Sequence, residues 1–155
     1  MQPKWSTVIL TLVAVGLGGG PAFAGDSFYG TVTEVKSAEV VTLDSGAGAA
    51  EVRLVGIDTP AEGPIASQAK QLVTDLVLGK HARMRLDHLA DSGVMVGRLT
   101  TDDPALGIRD VAVELVRAGL AQREQGFDYK YGELAAAERE ARAAKRGLWA
   151  SAPIP

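Results

Sequence analysis

Along the chain, apolar and polar positions alternate through the early part, shift to a helical spacing, alternate again and end in helical spacing. Ser27–Lys36 places Phe28, Val32 and Val35 among polar neighbours, and Glu39–Leu43 is a second β-branched run closed by the turn cluster Asp44–Gly48. Glu51–Ile57 predicts a third strand, with Val52, Leu54 and Gly56 on one face and Arg53, Val55 and Ile57 on the other; Pro60 stops it. Over Pro64–Leu78 the period changes. Ile65, Ala69, Leu72, Val73 and Leu76 share one face of a helix that Gly79 ends. His81–Leu89 and Val94–Thr100 alternate again and predict two more strands around the Asp91-Ser92-Gly93 turn, and Thr101–Gly107 reads as a loop. Asp110 is placed to cap a helix over Val111–Ala118. Glu133–Lys145 predicts a last helix with Leu134, Ala137, Ala141, Ala144 and Leu148 inward, and Gly147-Leu148-Trp149 turns Trp149 back onto the core. The fold class is α+β, mainly β. Five strands with a helix after the third suit an OB-type Greek-key barrel with three helices.

The segment before the first strand has another character. Lys4 precedes an almost wholly apolar run, Trp5–Gly18, and Ala22-Phe23-Ala24 follows as an A-x-A cleavage pattern. The run is short for a membrane span of about 20 residues. Residues 1–24 therefore read as a secretory signal peptide rather than an uncleaved anchor. They precede a domain over residues 25–150 and a short flexible tail at 151–155.

Composition narrows the chemistry. The chain has 155 residues and no Cys, which excludes disulfides, thiolate metal sites and a Cys nucleophile. Its formal net charge is -3, and removing the leader with its single Lys4 makes it -4. That balance disfavours tight nonspecific DNA binding, which comes from phosphate neutralisation. His81 and His88 stand at an odd separation on the fourth strand, so they fall on opposite faces and make no ligand pair. Ser67, Ser92 and the two His form no nucleophile–base pattern. The Arg and Lys residues of the last helix, interleaved with Glu, read as a solvated face.

The sharpest local feature is Arg53-Leu54-Val55-Gly56-Ile57-Asp58-Thr59-Pro60. An Arg and an Asp flanking one cleft suit a phosphate beside a divalent cation, because guanidinium grips oxygens bidentately and carboxylate holds a hard metal. On a straight strand the two lie roughly 16 Å apart. Spacing alone therefore favours the plainer reading of a surface Arg and a turn-capping Asp.

Val35–Leu43, Arg53–Pro60, Gly63-Pro64-Ile65-Ala66-Ser67, Val111–Ala121 and Lys145-Arg146-Gly147-Leu148-Trp149 come in the order seen in staphylococcal-nuclease-like domains. The resemblance runs from about Tyr29 to Trp149. It implies the OB barrel with three helices and Ca²⁺-dependent hydrolysis of DNA and RNA phosphodiesters. It implies metal ligation by Glu39, Asp58 and the Thr59 carbonyl, and phosphate binding by Arg53. Here the chain departs from the family. Glu39 stands where the family has an Asp, and Ser37-Ala38-Glu39 replaces its Asp-Gly-Asp turn. Ala61 takes the place of the Glu that positions or deprotonates the attacking water, leaving Glu62, one residue later, as the substitute base. Val94 takes the place of the second catalytic Arg. Arg98, roughly 13 Å further along that strand, is too far to replace it.

These departures imply weak or lost catalysis, weak Ca²⁺ binding and a binding role toward nucleic acid or a protein partner, in a monomer exported to the periplasm or the medium. A working endonuclease with Glu62 as base and a purely structural envelope domain are the other readings. The leader makes the first prediction: N-terminal sequencing of the exported protein begins at Gly25, and a chain that still carries Met1 overturns cleavage.

Overall fold

The computed structural model describes residues 25–151. The leader and residues 152–155 of the tail lie outside the described residues. Strands β1 (Ser27–Val35), β2 (Val40–Asp44) and β3 (Ala49–Leu54) form an antiparallel meander. A two-residue strand β4 (Ile57–Asp58) and helix α1 (Pro64–Val77) lead to the antiparallel pair β5 (His81–Leu89) and β6 (Met95–Asp103). β5 pairs antiparallel with β1, and β6 pairs in parallel with β3 through Val52–Met95, Arg53–Val96 and Leu54–Gly97. That last pairing closes the order β3-β2-β1-β5-β6 into a five-stranded barrel. β7 (Gly107–Asp110) extends β6, α2 (Val111–Arg117) follows it directly, and β8 (Gln122–Arg123) pairs with β4. α3 (Glu133–Ala143) and a 3-10 turn (Gly147–Trp149) complete the chain.

The alternation read from the sequence decides what fills the barrel. Val32, Val41, Leu43, Val52, Leu54, Met84, Leu86 and Leu99 point inward and are buried. α1 adds Ala69, Val73 and Val77, while α2 and α3 add Leu115, Val116, Leu134 and Ala137 to the same core. Asp110 caps α2, its side chain accepting from the Val113 N–H at 3.0 Å.

Three sequence expectations are corrected. Thr101–Gly107 is not wholly a loop: β6 runs on to Asp103, and β7 returns along it as a hairpin. β3 ends at Leu54 rather than Ile57. His81 and His88 do not fall on opposite faces, since both are exposed; a bulge between Leu86 and His88 inserts one residue and resets the alternation.

The closing Gly-Leu-Trp has a packing reason. Gly119 after α2 and Gly147 after α3 lie backbone to backbone. A Cβ on Gly119 would sit 2.2 Å from the Arg146 carbonyl oxygen, and one on Gly147 would sit 2.2 Å from the Gly119 carbonyl oxygen. The Leu148 N–H donates to that Gly119 oxygen at 2.8 Å. Trp149 is thereby brought to α3, its ring 4.1 Å from the Arg142 guanidinium carbon.

Gly119 has φ +73 and Gly107 has φ +75, but open space surrounds Gly107. Left-handed backbone costs an alanine roughly 1–2 kcal/mol at either position. Gly119→Ala adds the collision with Arg146 and should lose at least about 3 kcal/mol in all. Urea denaturation of the two variants checks this, and equal losses would remove the packing role of the Gly119–Gly147 contact.

Candidate functional site

The site lies where β3 leaves the barrel. Arg53 is exposed on the outer face of β3, opposite Val40 on one side and Val96 on the other. Among the described residues it has no ion pair and no side-chain hydrogen bond. Gly56, at φ +80, then breaks the strand. A Cβ there would lie 2.1 Å from the Phe127 ring, so the position requires glycine. Past this kink the alternation restarts. Val55 and Ile57 are buried while Arg53 is exposed, which corrects the expectation that the three share a face. The kink also directs Ile57 and Asp58 away from the barrel onto β8.

Two long-range contacts assemble the rest. The Leu54 N–H donates to the Glu39 carbonyl at 2.8 Å, tying the turn before β2 to β3. Glu39 Oε1 in turn accepts from both the Thr59 N–H and the Thr59 hydroxyl, each at 2.7 Å. Asp58 Oδ2 accepts from Gln122 Nε2 at 3.1 Å. Glu39 and Thr59 thus meet, with Asp58 next to Thr59 in the chain, near the end of β3 that carries Arg53. Asp58 and Thr59 also line a cavity of about 280 Å³ with Pro60, Gln122, Leu148 and Trp149. Gln122 and Trp149 had no sequence signal as site residues. Gln122 reaches Asp58 from 64 positions away.

Among the described residues, the remaining sequence candidates make no hydrogen bond to this group. Glu62 is exposed in the loop before α1, with no side-chain hydrogen bond among the described residues, and Ala61 is exposed beside it. Val94 is half-buried just before β6. Arg98, on the outer face of β6, is fully engaged: its Nε donates to Asp110 Oδ2 at 2.5 Å, its Nη1 to Glu133 Oε1 at 3.2 Å, and its guanidinium carbon lies 4.2 Å from the Tyr129 ring centroid. Burial disfavours the Arg98 charge, but Asp110 outweighs it and holds the guanidinium firmly protonated. Burial and the Asp110 carboxylate push the Tyr129 phenol well above its ordinary range, so it stays neutral.

Among the described residues no group of three or more His, Cys, Asp or Glu converges. The donor chemistry of Glu39, Asp58 and the Thr59 carbonyl nevertheless fits a hard cation, since all are oxygens and Glu39 Oε2 and Asp58 Oδ1 accept from no protein donor among the described residues. Two carboxylates are few for an ion that takes about six to eight oxygens, so water would fill most of the shell.

A family model described as staphylococcal nuclease homologue matches residues 51–151. The match contains Arg53, Asp58, Thr59 and Glu62 and begins beyond Glu39. No curated protein matches the chain.

The Glu39–Thr59 clasp has a measurable value. Glu39→Ala leaves the half-buried Thr59 N–H without its acceptor and should cost about 1–3 kcal/mol, whereas Thr59→Val removes only the hydroxyl bond and should cost about 1 kcal/mol. Thermal unfolding of the two variants orders them, and the reverse order would mean that the clasp does not hold the site.

Proposed function

The chain belongs to the staphylococcal nuclease homologues, and from that membership we propose an exported protein that binds nucleic-acid phosphodiesters at Arg53 and cleaves them weakly or not at all. One observation carries the reading. Val94, just before β6, and Arg98, on it, lie two residues to either side of Val96, the register partner of Arg53. Val94 has no charge, and the charge of Arg98 is taken by Asp110 and Glu133. A phosphate at Arg53 therefore meets one free guanidinium instead of two.

The residues divide the work as follows. Arg53, unpaired and exposed, grips two non-bridging phosphate oxygens through its planar fork. Asp58 and Glu39 present negative oxygens beside it. Thr59 fixes Glu39 through two hydrogen bonds. Gln122 steadies Asp58. A Ca²⁺ held by Glu39, Asp58 and the Thr59 carbonyl would supply positive charge to the phosphate and a template for the attacking water. Glu62 is the only carboxylate in the adjoining loop with which to accept that water's proton.

Magnitudes favour binding over turnover. One missing preorganised donor typically costs about 2.7–4 kcal/mol of barrier, or roughly 10²–10³ in rate. A displaced general base costs about 10²–10⁴ more. Export is supported by the charge, apolar run and A-x-A site of residues 1–24.

The purified protein with Ca²⁺ and single-stranded DNA should show cleavage at least about 10³-fold below that of a fully equipped family member. Val94→Arg combined with Ala61→Glu should raise it. Brisk cleavage by the unmodified chain that Glu62→Ala abolishes would overturn the binding reading and make the protein a working nuclease. Calorimetry of Ca²⁺ binding should show weak binding that Asp58→Ala removes; equal binding in both would take Asp58 out of the metal site.

A further inference from the structure

Arg53, Arg83, Arg85 and Arg139 have no ion pair among the described residues, and two of these share one face of the barrel. Arg98, Arg109, Arg117, Arg123, Arg142 and Arg146 each face a carboxylate. Arg83 and Arg85, on the outer face of β5, face none among the described residues. Arg85 lies opposite Ser27 of β1 and Arg98 of β6, while Arg83 lies opposite Tyr29 and Thr100. Arg83 donates to Ser27 Oγ at 3.0 and 3.2 Å, and its guanidinium carbon sits 5.8 Å from the Tyr29 ring centroid. Tyr29 is 60% exposed and Ile108, at the same groove, 77%. The groove holds about 400 Å³, with His81 at one end and Asp102 as its one carboxylate. A chain whose net charge is negative thus concentrates unneutralised guanidinium and a solvent-facing ring on one strand face.

We propose that this β1–β5–β6 face is a track for single-stranded nucleic acid, with Arg83 and Arg85 on successive phosphates and Tyr29 stacked on a base. The inference deepens the nucleic-acid reading of the previous subsection and rests on it, but it does not depend on cleavage. Two features favour a single strand. Arg83 and Arg85 stand two residues apart on one strand, about 6.7 Å, close to the phosphate repeat of an extended single strand. The aromatic ring beside them can stack only on a base outside a duplex. By register, two residues back along β6 from the Arg85–Arg98 pair lies Val96, the partner of Arg53, but Val96 is buried and Arg98 is engaged, so the track on β5 is separate from Arg53.

Fluorescence anisotropy of a labelled oligothymidylate, in EDTA so that no cleavage intervenes, tests the track. The double variant Arg83→Gln/Arg85→Gln should bind at least about tenfold more weakly, and its log–log salt slope should fall by about 1.4, near 0.7 for each lost phosphate contact. Tyr29→Ala should weaken binding roughly fivefold or more while leaving the slope unchanged. Arg139→Gln, on the exposed side of α3, should alter neither. The paired Lys variant at 83 and 85 should restore the slope, which a folding defect would not. If the unmodified chain binds and the double variant binds equally well while Arg53→Gln does not, the track is wrong and the Arg53 reading stands. If the chain ignores oligothymidylate and instead binds polyglutamate through Arg83 and Arg85, the face serves an acidic protein and both readings fall. Preference for duplex DNA over the single strand overturns the stacking role of Tyr29.

Discussion

β3 is paired on both edges, antiparallel to β2 and parallel to β6, and the parallel ladder from Val52–Met95 to Leu54–Gly97 closes the barrel. An open sheet of these strands would leave two edges of unpaired backbone groups; closure removes them at the cost of ordering a long loop through α1. It also sets Arg53 between Val40 and Val96 and so determines which residues of β6 can share a phosphate with it. The kink at Gly56 comes immediately after the last closing pair. Together, closure and kink decide where Asp58 and Thr59 go, and the half-buried Glu39 carboxylate meets them there because Leu54 holds the Glu39 backbone.

The distribution of charge follows from the same framework. Where helices pack on the barrel, arginines are brought against carboxylates: Arg98 with Asp110 and Glu133, Arg109 with Glu114, Arg117 with Glu114 and Glu140. Half-buried guanidinium needs such partners, because an uncompensated charge at low dielectric is costly. The strand face of β5 has no helix over it, so Arg83 and Arg85 stay solvated and need no partner. A net charge of -3 therefore describes the sum and not the surface that a polyanion would meet.

The same logic explains why Arg98 is no substitute for a second phosphate-binding group. In register it stands as close to the partner of Arg53 as Val94 does, closer than a count along the strand from Val94 suggests. What disqualifies it is prior engagement: two carboxylates and the Tyr129 ring hold its guanidinium over the start of α2, where it braces the β6–α2–α3 junction.

Much of the fold was legible because period and punctuation are local. Alternation placed Ala82, Met84 and Leu86 inward on β5, helical spacing placed Ala69 and Val73 on α1, and Asp110 and Gly119 marked the ends of α2, since each signal depends on residues a few positions apart. Where the pattern failed, the missing cause was tertiary. The β6–β7 hairpin is mostly polar and solvent-facing, so it has no apolar period and forms because β6 offers an edge. The bulge near His88 and the kink at Gly56 shift the alternation by one residue without changing composition. At the site, the sequence by itself determined which oxygens and guanidinium are present, from Glu39, Arg53, Asp58 and Thr59. Only the tertiary structure decided that Glu39 is clasped by Thr59, that Asp58 leans on Gln122, that Arg98 is already engaged and that Arg83 and Arg85 are not. Those outcomes depend on which surfaces helices cover and which strands meet across the barrel, and a linear pattern carries no information about either.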